Sequence, residues 1–202
     1  SFHQGDLVQS EQQAWQALAM AEPMAAAQVE IIAHVILAMV AWRQEAWAVM
    51  EAELAIAAEL AATAVDFQPT VDRWRAQLAL AQGNPSQAQA ILKSWLAADA
   101  EVLADEAEPV QRLYAQVLAA QGETERAVHL LRESLQRLRE AEMRYQTGQT
   151  LLTLAEIGAR VTGRETEAYA CAIEAQTIFE KLGASLDTAV ARALLTRLAM
   201  EA

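Results

Sequence analysis

Apolar and polar residues follow one another along this chain with helical spacing, and never with the strict alternation of a half-buried strand. Val, Ile, Thr and the aromatic residues do not gather into strand-like runs. Ten helices are predicted, at 6–21, 24–42, 44–64, 69–82, 85–97, 105–121, 123–140, 142–160, 164–182 and 185–201. Pro23, Pro69, Pro85 and Pro109 fall at or near predicted helix starts, where a missing N–H costs nothing. The most apolar run, AAAQVEIIAHVILAMVAW (25–42), is interrupted by Gln28, Glu30 and His34. It reads as a buried central helix and not as a membrane span.

The pattern repeats. VDRWRAQLALAQG (71–83) returns as VQRLYAQVLAAQG (110–122), with seven of thirteen positions identical. Helix breakers mark the units: Gly5-Asp6, Gly83-Asn84, Gly122-Glu123 and Gly163-Arg164. An Ala follows five residues after three of them, at Ala88, Ala127 and Ala168. The gap between Gly5 and Gly83 leaves room for one further mark, expected at Arg43-Gln44 with Ala48 in the alanine slot. The period is then about 40 residues, one αα-hairpin per unit. Gly ends one helix in the left-handed conformation, and the polar residue beside it caps the next. The Ala lets the two helices of a hairpin cross closely, and Leu92 and Leu131 continue the same buried face. A single hairpin cannot bury its apolar face, so stacked neighbours must complete the core.

Composition agrees with an all-helical chain. Hydrophobic residues make up 54% of its 202 residues, with Gly only 7 and Pro only 4. The net charge of −12 provides no basic stripe, which argues against binding nucleic acid or an anionic membrane surface. Cys171 is the one cysteine, so no internal disulfide can form. That suggests a reducing, cytoplasmic setting, with the thiol a small buried helix residue. The stretch ADAEVLADEAE (98–108) carries five carboxylates but lacks the ordered spacing of a calcium loop, and reads as a solvated connector. His3, His34 and His129 share no metal-ligand spacing. No cofactor, metal site or catalytic constellation is expected.

The Gly-Asn mark, the Ala five residues on and the large apolar residue four beyond that resemble tetratricopeptide repeats. The longer period, with LALAQGNPSQAQAIL, VLAAQGETERAVHLL and the tail EAYACAIEAQTIFEKLGASLDTAVARALL, is similar to the arrays in sensor domains of MalT/LuxR-type transcriptional regulators and related signal-transduction ATPases. Trp95 and Ser134 depart from the pattern, standing where that family has small residues. The resemblance implies an all-α, right-handed α-α superhelix (a TPR-like solenoid) of about five hairpins, a single domain over 1–202. The chain opens between two helices of one hairpin and closes after the first helix of another. A piece of a longer array is therefore expected, or one that pairs with a second copy through an exposed end.

The resemblance also assigns a site. It places the first helix of each hairpin on a concave wall, where peptide-clamping members hold their ligands. Carried over, Arg73, Gln77, Arg112 and Gln116 become the candidate ligand contacts. Each Arg–Gln pair is four residues apart and so shares a helical face. An Arg fork suits a carboxylate, and Gln can bond a peptide backbone. The next hairpin carries Thr153 and Ile157 in the matching slots. Five tryptophans, Trp15, Trp42, Trp47, Trp74 and Trp95, crowd the first half and make a second candidate face. The expected function is a non-catalytic module that binds a protein or peptide, including other parts of its own full-length chain. The alternative is an effector-sensing domain for a small molecule such as a sugar, coupled to an ATPase and a DNA-binding domain outside this segment.

Overall fold

The structure, a computed structural model, describes residues 7–21, 26–96, 107–161 and 163–201. Every regular element among these residues is helical. They are α1 (Leu7–Ala21), α2 (Ala27–Arg43), α3 (Trp47–Ala61), a 3-10 turn (Val65–Phe67), α4 (Gln68–Ala81) and α5 (Pro85–Leu96). After these come α6 (Ala107–Ala120), α7 (Thr124–Glu140), α8 (Arg144–Gly158), α9 (Glu165–Leu182) and α10 (Ser185–Glu201). Each α-helix corresponds to a predicted helix, with ends displaced by a few residues, and the 3-10 turn falls between two of them. The mark at Gly5-Asp6, Pro23, His3 and nearly all of the acidic stretch 98–108 lie outside the described residues.

The helices form two compact units, with the division at Ala107/Glu108. In the first, α2 is buried on two sides. Ile31, Val35, Ala38 and Ala41 join Met50 and Leu54 of α3 and Val71, Trp74 and Leu78 of α4. Ala33 and Leu37 pack instead on Ala14 and Leu18 of α1. Two buried faces explain why the α2 sequence reads as an almost continuous apolar run. In the second unit, Ala115 and Leu118 of α6 meet Ala127 and Leu131 of α7 and Leu154 and Ile157 of α8. A further cluster joins α8 to α9 and α10 through Leu151, Ala172, Phe179 and Leu194.

Several of the turns between helices share one closure, the turn at Gly163 not among them. Ala46, Asn84, Glu123, Met143 and Ala184 each donate a backbone N–H to the carbonyl five residues back, at 2.9–3.0 Å. The residue before each donor lies in the left-handed region: Glu45 (φ 57°), Gly83 (77°), Gly122 (86°), Glu142 (54°) and Gly183 (69°). This closure satisfies carbonyls that the helix end leaves without an intrahelical donor. Five residues after the left-handed position stand Met50, Ala88 and Ala127, all fully buried, and Thr147, nearly so. Ala168, five after Gly163, is buried as well.

The second-repeat mark therefore needs correcting. It falls at Glu45 and not at Arg43-Gln44, and the slot holds Met50 while Ala48 is exposed. Glu142 is a further mark of the same kind. Both escape a sequence reading because Glu is an uncommon choice for a left-handed residue.

Candidate ligand-binding face

In α4, burial of Val71, Trp74 and Leu78 sets the rotation of the helix. Arg73 and Gln77 then lie side by side on a half-buried strip, one turn apart. The Arg73 guanidinium carbon sits 4.6 Å above the Trp74 ring. Trp74 meets Trp42 of α2 edge to face, with centroids 5.6 Å apart and planes at 62°. Arg43 lies 5.1 Å over the Trp42 ring. Two guanidinium groups are thus held on two touching indoles. Stacking of this kind fixes the plane of an Arg fork and lowers the entropy lost when it grips a planar anion. The Trp74 indole N–H is buried and makes no hydrogen bond with any described residue.

The second Arg–Gln pair has the same local build. Val110, Leu113 and Val117 of α6 are buried, and Arg112 and Gln116 lie half-buried between them, one turn apart. One guanidinium nitrogen of Arg112 is shut off from solvent. The four residues divide between the two units, one pair in each. Thr153 and Ile157 of α8 are both buried, and the Thr153 hydroxyl donates to the Gln149 carbonyl at 3.0 Å. They belong to the packed interior.

Further polar contacts lie outside the two Arg–Gln pairs. A cleft of about 230 Å³ opens between α3, α4 and α5, with Glu51, Arg75, Gln82 and Gln87 around an apolar floor that includes Leu54 and Leu78. Asp72 accepts from Arg75 at 3.1 Å and from the Trp95 indole at 3.2 Å. Trp95 is half-buried on α5, and its N–H reaches a carboxylate across the hairpin. Ser134 likewise donates to Glu108. His34 Nδ1 lies 2.6 Å from Glu53 Oε2, joining α2 to α3. The Asp72–Arg75 pair carried a signal, its three-residue spacing; the others join residues too far apart in sequence to be found.

Cys171 is half-buried on α9. Burial pushes its thiol above the ordinary range, and Glu167 and Glu174 push the same way. A thiol so placed is a poor nucleophile near neutral pH. Among the described residues no group of His, Cys, Asp and Glu side chains is arranged to hold a metal ion. Nor is any described helix long and apolar enough to cross a membrane. No protein-family model matches the chain, and no significant match exists among curated proteins or solved structures.

Proposed function

We propose that this protein is a non-catalytic binding module of the tetratricopeptide type, with its hairpins stacked in the right-handed sense of that family. Arg73 and Gln77 contact the ligand in one unit, and Arg112 and Gln116 in the other. The ligand is a peptide or protein segment bearing a free or side-chain carboxylate. The observation that carries this reading is the Arg73 guanidinium held on the Trp74 ring beside Gln77. A pre-set fork can take a carboxylate through paired N–H bonds, while the amide bonds the adjoining backbone.

The test is a peptide array that compares free with amidated carboxyl ends and acidic with neutral side chains. Binding is followed through tryptophan emission, since Trp42 and Trp74 lie against the proposed contact. The double variant Arg73→Gln, Arg112→Gln should lose affinity by tenfold or more, roughly the worth of one charge-assisted bond. Equal binding by wild type and variant would remove these residues from the site. The small-molecule alternative has its own support in the cleft between α3, α4 and α5. A metabolite that quenches Trp95, whose indole bonds the Asp72 carboxylate paired with the cleft residue Arg75, would favour it.

A further inference from the structure

The second unit contains a cleft of different chemistry. Gly148 on α8 draws that helix close to α9, against Phe179 and Ile178. One turn before Gly148, on the same face of α8, stands Arg144. There the seam opens into a cleft of about 340 Å³, lined by Arg144 from α8 and by Ile178, Lys181 and Leu182 from α9. Ile178 and Leu182 are one turn apart and form an aliphatic wall. Arg144 and Lys181 place a cation on each helix.

Among the described residues neither cation is neutralised by a neighbouring carboxylate, in a chain rich in them. The chain carries 27 carboxylate residues against 15 Lys and Arg. Most arginines of the second unit use that surplus. Arg126, Arg132, Arg137, Arg139, Arg164 and Arg192 all reach a Glu. Arg144 and Lys181 form no ion pair with any described residue, although Glu142 and Glu180 lie close by in sequence. Glu180 is committed to Gln176 and Arg192. Arg144, Lys181 and Leu182 are exposed, so the cleft lies open to solvent and its cations and its aliphatic wall must act together on a ligand.

We infer that the cleft between α8 and α9 binds a short aliphatic carboxylate, its acid group held between Arg144 and Lys181 and its hydrocarbon chain laid on Ile178 and Leu182. Neither charge nor chain suffices alone. A bare anion gains little from two hydrated surface cations, and a neutral chain gains nothing from them. The site uses none of the four residues assigned to peptide binding.

The probe is octanoate, titrated into the full chain with methyl resonances of Ile and Leu observed by NMR. Octanoate should shift Ile178 and Leu182 in a saturable way, and 1-octanol should bind about tenfold more weakly or worse. The double variant Arg144→Gln, Lys181→Gln should lose octanoate binding by a similar factor. Its melting temperature should hold, since both side chains are exposed. Three results would each overturn the assignment: no shift at Ile178 or Leu182, equal binding of octanol, or undiminished octanoate binding by the folded double variant.

Discussion

Gly148 of α8 lies so close to Phe179 of α9 that a methyl group on its Cα would stand 2.8 Å from the ring carbon Cε1. Phe179 is fully buried, packed edge to face against Tyr145 at 6.0 Å. The ring therefore has no room to retreat. Gly148→Ala gains helix propensity but forces this seam apart. The net effect expected in urea unfolding is destabilisation by about 1–3 kcal/mol. A neutral or stabilising result would mean the seam yields.

Glu45 and Glu142 hold left-handed turns that glycine holds at Gly83, Gly122 and Gly183. A side chain in this region is strained against its own backbone, by about 1–2 kcal/mol. Glu45→Gly and Glu142→Gly should each stabilise the fold by about 0.5–1 kcal/mol, the larger unfolded-state entropy of Gly offsetting part of the relief. Gly122→Ala, at φ 86°, should destabilise it by a similar amount. Thermal melts of the three variants compare them directly.

Burial pushes the Glu156 carboxyl above its ordinary range, and Arg197 and Arg160 pull it back only in part. A raised carboxyl holds its proton more tightly in the folded than in the unfolded state. Its stabilising contribution is complete below the unfolded value and is lost as pH climbs through the folded one. Glu156→Gln removes the charge that burial opposes. The variant should melt roughly 2 °C higher at neutral pH, with the advantage shrinking toward acid. A lower melting temperature at pH 7 would mean that the two arginines outweigh burial.

Arg132 and Arg139 on α7 pair with Glu167 and Glu174 on α9, with the same seven-residue step on both helices. All four side chains are well exposed, so solvent screens the attraction. Replacing both arginines by Ala should cost less than about 1 kcal/mol, and the cost should shrink further in high salt. A larger, salt-insensitive loss would show that the aliphatic stems of the arginines carry packing.

Peptide binding through Arg73 predicts a spectroscopic link between the first-unit aromatics and the ligand. Trp42→Phe keeps an apolar ring at α2 but weakens the support beneath Trp74 and Arg43. Affinity for a carboxylate peptide should fall several-fold, by less than the loss in Arg73→Gln. The same ranking in isothermal titration is expected; the reverse would place the tryptophans, and not Arg73, at the centre of the contact.

The helices and most of their turns were determined by sequence, because they depend on neighbours a few residues apart. Periodic apolar faces, prolines near helix starts and glycines at helix ends placed all ten, and the 3.6-residue turn put Arg73 beside Gln77 and Arg112 beside Gln116. The alanines at 88, 127 and 168 were likewise legible as close-packing positions. Tertiary structure decided what touches what between helices. It joined Trp42 to Trp74, Gly148 to Phe179, and His34 to Glu53, and it gave Trp95 an acceptor in Asp72. Such contacts follow from the rotation and spacing of packed helices, which many residues set together. It also chose Glu45 and Glu142 for left-handed turns, where closing hydrogen bonds and the buried residues behind them outweigh the local preference of Glu.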